Sequence, residues 1–146
     1  MSEELDRDLA HCRAELDAAR RELLAVVTAL KDDDLERVRR GEWPVRRILE
    51  HVIESEWLYS RLIAHLRGQP VPGDAIDATP TSQADAIDRL AASRAALVKA
   101  FDGADEESFY RLGKMGHEEY SVLSVLENEI NHEREHAAQI RKTVSG

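Results

Sequence analysis

The segment Ser121–Val144, SVLSVLENEINHEREHAAQIRKTV, decides the fold and carries the chemistry. Val122, Val125, Leu126, Ile130, Ala137 and Ile140 recur at the three- and four-residue steps of an amphipathic helix, whose apolar stripe must face a core. Glu129 and Glu133 fall inside that stripe, with His132 and His136 at its edge. Four ionisable groups within about two turns of a core-facing stripe are expensive to bury unless they pair or bind something. The two histidines stand four residues apart, about 40° around the axis and about 6 Å along it, so two imidazoles can reach one metal ion.

Working outward, three more helices of the same kind precede this one. Leu5, Leu9, Cys12, Leu16, Ala19, Leu23, Val26 and Leu30 form the seam of a first helix, Glu3–Leu30, with Cys12 as a packed thiol. Lys31–Glu42 is a polar connection opening on Asp32-Asp33-Asp34. Trp43-Pro44-Val45 then starts a second helix, with Pro44 suited to the first helical position. Its apolar face is Val45, Ile48, Leu49, Val52, Tyr59, Leu62, Ile63 and Leu66, with His51 on the flank, and it stops at Arg67-Gly68.

Three prolines and a glycine make Gln69–Pro80 a long crossover. Thr81 or Ser82 caps a third helix that runs to about Phe101. Arg94 falls in the middle of its seam of Ile87, Leu90, Ala91, Leu97, Val98 and Phe101, and a buried arginine there needs an anionic partner. Asp102–Glu119 reads as a second irregular connection, with no strand anywhere in the chain. A weak repeat relates Asp32-Asp33-Asp34-Leu35 and Trp43-Pro44-Val45 to Asp105-Glu106-Glu107-Ser108 and Tyr120-Ser121-Val122. The fold class is all-α, a four-helix bundle forming a single domain over residues 1–146.

Composition narrows the function. A net charge of −9 argues against nucleic acid, which demands clustered Lys and Arg. No apolar run has the length of a membrane span. The acidic start Met1-Ser2-Glu3-Glu4 is unlike a secretory signal, so a cytoplasmic location is expected. The single cysteine allows neither an internal disulfide nor a Cys-x-x-Cys zinc site.

Three metal motifs compete for the late histidines. His132-Glu133-Arg134-Glu135-His136 matches H-E-x-x-H, but no His, Asp or Glu follows to serve as the downstream third ligand of a zinc protease. Glu129-x-x-His132 and Glu133-x-x-His136 match the Glu-x-x-His of di-iron bundles. That site needs the motif on two helices and a glutamate on each of the others, which the other seams do not offer. The remaining option is mononuclear: His51, His132 and His136, three neutral imidazoles with a fourth position for water or substrate. All-nitrogen ligation suits Zn, Ni, Fe(II) or Cu. His65, in the last turn of the second helix, reads as a surface residue, and His117 lies in the loop before the fourth helix.

At these residues the chain resembles the DinB/YfiT-like superfamily of bacterial four-helix-bundle metalloproteins. The matching stretches are Trp43-Pro44-Val45-Arg46-Arg47-Ile48-Leu49-Glu50-His51 and His132-Glu133-Arg134-Glu135-His136-Ala137-Ala138-Gln139-Ile140. The resemblance implies an up-down-down-up bundle with its long crossover between helices two and three. It also implies a divalent metal, zinc first with nickel or iron as alternatives, on His51, His132 and His136, and a homodimer. Its relatives include bacillithiol S-transferases and the N-terminal domain of mycothiol-dependent maleylpyruvate isomerase. The expected function is therefore activation of a low-molecular-weight thiol, a cosubstrate, for S-transfer to an electrophile or for isomerisation. Glu133 is the candidate base or histidine-orienting group, and Arg94 is the candidate for a substrate carboxylate or for an ion pair with Glu129 or Glu133. The alternative is a non-catalytic, stress-associated metal-binding dimer, or a dimerising bundle with a purely structural histidine cluster.

Overall fold

Helix starts follow the caps that the chain supplies. In the computed structural model, which describes residues 2–71, 73 and 76–146, the Ser2 hydroxyl accepts the Leu5 amide and starts α1, Glu3–Thr28. A short 3-10 turn, Asp32–Glu36, follows. Helix α2 spans Val45–Leu66 with Pro44 at its cap, one position before the helical site expected for it. Ser82 caps α3, Gln83–Phe101, through the Asp85 amide. Reciprocal bonds between Ser121 and Ser124 close the capping box that opens α5, Val122–Ser145.

Inter-helix bonds set the directions. Arg67 Nη1 donates to the Ala100 carbonyl at 2.8 Å, and Arg46 donates to the Pro80 carbonyl. Helices α2 and α3 therefore run the same way. Arg13 reaches Asp102 at 2.9 Å and Gln83 donates to the Val27 carbonyl at 3.3 Å, which makes α1 antiparallel to α3. Leu5 shares one core cluster with Val122, and Leu23 shares the other with Ile140, so α5 is parallel to α1. The bundle is up-down-down-up, and its crossover is residues 69–80, of which 72, 74 and 75 lie outside the described residues. No helix among the described residues is long and apolar enough to cross a membrane.

The connection 102–119 corrects the reading of an irregular, strand-free segment. Asp105 caps a short helix α4, Glu106–Tyr110. Strands β1, Gly113–Met115, and β2, Glu118–Tyr120, then pair antiparallel, with Gly113 opposite Tyr120 and Met115 opposite Glu118. The turn is Gly116-His117, with glycine at φ 65°, the conformation that a glycine-first two-residue hairpin requires. Three-residue polar strands carry no alternating apolar pattern, so nothing in the residue periodicity announces them. The repeat noted in sequence becomes two short helical segments, each planting one fully buried side chain: Leu35 in the first connection and Phe109 in the second.

The core is divided along the bundle axis. One apolar cluster gathers Leu5, Cys12, Leu16, Leu97, Phe101, Phe109, Val122 and Leu126 around one end. The other gathers Leu23, Val27, Leu35, Ile48, Leu49, Leu90, Ala137 and Ile140 around the opposite end. Between them lies a charged layer in which Arg20, Glu56, Ser93, Glu129 and Glu133 are all buried. Cys12 is 1 % exposed, and burial first, then Glu127 and Asp8, push its thiol up to about 11 from 9.0.

Two outcomes are expected. Phe109→Ala should destabilise the protein by about 3–5 kcal/mol in urea unfolding, because α4 closes the core; a loss under about 1 kcal/mol would make α4 dispensable. The folded state keeps the Cys12 proton after the unfolded chain has released it, so this contribution to stability is present below pH 9 and fades toward pH 11. Unfolding at pH 8 and pH 10.5 should show wild type losing on the order of 2 kcal/mol more than Cys12→Ala.

Candidate metal centre

The three predicted ligands come together from two helices. Helix α2 presents His51, and α5 presents His132 and His136 one turn apart. His51 Nε2 lies 3.0 Å from His132 Nε2, which lies 2.9 Å from His136 Nε2. Three nitrogens at about 2.0–2.1 Å from a tetrahedral zinc would stand about 3.3 Å apart, so slight outward movement accommodates an ion. Burial first, then His136 and His51, lowers the His132 pKa to about 4. Burial and the neighbouring His136 likewise lower that of His51. Neutral imidazoles with converging lone pairs are the form that a cation binds, and the donor set fits a divalent transition ion.

Neighbouring groups hold the rings in place. The His136 Nδ1–H donates to Gln139 Oε1 at 2.7 Å, which leaves Nε2 as its ligand atom. Trp43 meets the His51 ring edge-on at 5.3 Å, and the Arg47 guanidinium lies over Trp43 at 4.6 Å. The Tyr59 ring stands 6.4 Å from that of His132. All three histidines are half-buried, which keeps the centre accessible from solvent. His65 and His117 are both exposed, the one late in α2 and the other in the hairpin turn, and neither joins the cluster.

Next to the histidines along α5 lies the charged layer, to which all four long helices contribute. Arg20 of α1 donates to Glu133 at 2.8 Å and to Glu56 of α2 at 2.8 Å, and its third nitrogen donates to the Leu90 carbonyl at 2.7 Å. Arg94 of α3 donates to Glu56 at 2.7 Å, to Glu133 at 3.0 Å and to the Leu16 carbonyl at 3.0 Å. Ser93 adds a 2.5 Å bond to Glu56. Burial works against the Arg94 charge, but Glu56 and Glu133 outweigh it and its pKa rises.

Glu129 completes the layer without joining the network. It is 0 % exposed, and neither carboxyl oxygen has a hydrogen-bond partner among the described residues. Burial, then the adjacent Glu56 and Glu133, raises its pKa well above the ordinary carboxylate range.

The structure thus places Glu133 against two guanidiniums rather than against a histidine. Arg94 takes the ion-pair arrangement, with Glu133 as expected and with Glu56 in addition, but without a recorded bond to Glu129. Arg20 and Glu56 are not singled out by the residue pattern, which on the second helix rules out only a Glu-x-x-His motif at His51. Both carried a signal. Glu56 fills the gap in the apolar stripe between Val52 and Ser60, and Arg20 stands four residues after Leu16 and three before Leu23. Arg94→Met should destabilise the fold by about 3–5 kcal/mol, the effect of stranding buried carboxylates. A denaturation midpoint unchanged from wild type would free Arg94 for a role at the substrate.

A family model described as the DinB superfamily matches residues 15–140. The crystal structure of the four-helix bundle protein TT2238 superposes with a TM-score of 0.70 at 22 % identity, covering 90 % of this chain and 96 % of that one. A DinB-like protein from Bacillus cereus superposes with a TM-score of 0.67 at 19 % identity, covering 91 % of this chain and 90 % of that one. At such identities the likeness of structure speaks to fold alone. No curated protein matches.

Proposed function

The chain belongs to the DinB superfamily, and on that premise we propose that it is a divalent-metal-dependent enzyme acting on a low-molecular-weight thiol. The observation that carries the metal half of this reading is the convergence of the His51, His132 and His136 Nε2 atoms, all within 4.8 Å of one another. Zinc is the first choice, because three neutral imidazoles leave a fourth position for an exchangeable ligand; nickel or iron would fit the same donors. The thiol half comes from the family resemblance, with S-transfer to an electrophile or isomerisation as the reaction.

When bound, the ion would lower the pKa of a thiol and hold the thiolate for attack. The chain's own residues would bind and orient. His51 and the His132–His136 pair would hold the ion from α2 and α5, and Gln139 fixes the His136 tautomer. Trp43 covers one edge of His51. Arg47, stacked on Trp43 and paired with Glu50, would meet the charge of a thiol or substrate carboxylate by exchanging that partner. Glu133 and Arg94 serve by fixing the helices, since their polar atoms are engaged with each other and with Arg20 and Glu56. A homodimer is part of the proposal on the family resemblance alone.

Untagged protein purified without chelator should carry about one equivalent of Zn, Ni or Fe. A divalent ion at 100 times its Kd should stabilise wild type by about 2.7 kcal/mol and leave His132→Ala unaffected. Assay of the loaded protein with a panel of thiols and monochlorobimane should give conjugates that His132→Ala does not. Metal without turnover across the panel would favour a binding role, and equal metal content in His132→Ala would contradict the triad.

A further inference from the structure

We propose that Glu129 is the positioning residue of the metal centre, accepting the Nδ1–H of His132 on the side of that ring turned away from the ion. The inference rests on the metal reading above and names how one of its ligands is held.

The His132 Nε2 atom faces both other histidines, at 3.0 and 2.9 Å, and with an ion held at Nε2 the proton of the neutral ring is on Nδ1. That Nδ1 is buried and has no hydrogen-bond partner among the described residues. The contrast with His136 is direct, since its Nδ1–H is taken by Gln139 at 2.7 Å, three residues further along the helix. A ligand imidazole with an unaccepted N–H is free to rotate about its outer bonds and is a weaker base toward an ion.

Glu129 stands three residues before His132 on the same helix, and both of its oxygens are buried and unpartnered. Side chains at this spacing are neighbours, with Cβ atoms about 5–6 Å apart. A helical side chain leans toward the N-terminal turn, which brings the His132 ring over the turn that carries Glu129. The other donors of the layer are spoken for. Arg20 is directed at Glu56, Glu133 and the Leu90 carbonyl, and Arg94 at Glu56, Glu133 and the Leu16 carbonyl. Neither guanidinium donates a hydrogen bond to Glu129, which shares the layer with the carboxylates of Glu56 and Glu133, within 4.8 Å. The group it lacks is a donor, and the group His132 lacks is an acceptor. In either protonation state the carboxyl keeps one oxygen free to accept an N–H, so the pairing does not depend on titration. A rotation of Glu129, or one buried water between the two, would make the bond.

The test compares wild type with Glu129→Leu, Glu129→Gln and, as a control for the nearby phenol, Tyr59→Phe. Zinc affinity is read by competition with a chromophoric chelator, and the His132 imidazole N–H by nitrogen-15 NMR of the zinc-loaded protein. Glu129→Leu should bind zinc about 10–100-fold more weakly and lose the protected Nδ1–H signal. Its metal-free form should unfold in urea at a midpoint no lower than wild type. Glu129→Gln, which keeps a carbonyl acceptor, and Tyr59→Phe should bind within about threefold of wild type and keep the signal. Equal affinity in wild type and Glu129→Leu, or an equal loss in Glu129→Gln, would overturn the assignment while the metal centre stands. Absence of zinc binding in wild type would overturn the metal reading and this assignment with it.

Discussion

The structure depends on one buried ion network, in which Arg20 and Arg94 each bridge Glu56 and Glu133. Each long helix contributes one member. Burying such groups singly would be prohibitive, and even as a set the pairing offsets desolvation only if the geometry is good and the remaining donors are satisfied. Here they are, because the leftover guanidinium nitrogens end on the Leu90 and Leu16 carbonyls. Apolar clusters on either side give the bundle its stability, but apolar packing tolerates sliding and rotation of helices. An arginine whose separate nitrogens bridge two carboxylates does not.

That rigidity has a use. Glu133 lies beside His132 in sequence, and once its carboxylate is pinned among two arginines the rotation of α5 about its axis is set. His132 and His136 then emerge on the flank facing α2, where Glu56 has set the rotation of His51's helix in the same way. The metal centre and the charged layer are thus two levels of one device: the buried layer fixes the helices, and the half-buried level above it exposes three imidazoles to solvent. Glu129 lies at the junction, on the same helix as both levels and buried without a recorded partner in either.

Much of this was legible in the residue pattern. The four amphipathic seams, with a cap at Thr81 or Ser82 and a helix start at Tyr120-Ser121-Val122, defined the long helices within a few residues, because apolar periodicity over twenty or more residues is hard to mistake. The three histidines were legible because a pair four apart on one helix and a third flanking another apolar face is a specific arrangement. Arg20 and Glu56 were not, because a seam is read by its apolar members and a charge within it looks like an interruption. Only the three-dimensional meeting of two such interruptions from different helices reveals them as partners. The hairpin at residues 113–120 escaped for a different reason: its strands are short and mostly polar, so the glycine of the Gly116-His117 turn is the one local signal they carry.

The central claim is that three imidazoles, and not the nearby carboxylates or Cys12, form a metal site. X-ray absorption of the protein loaded with one equivalent of zinc addresses this directly. The account predicts a shell of nitrogen and oxygen at about 2.0–2.1 Å with the outer-shell scattering of three imidazoles, and no sulfur at about 2.3 Å. An oxygen-only shell, as the Glu56, Glu129 and Glu133 group would give, or a sulfur scatterer would contradict it.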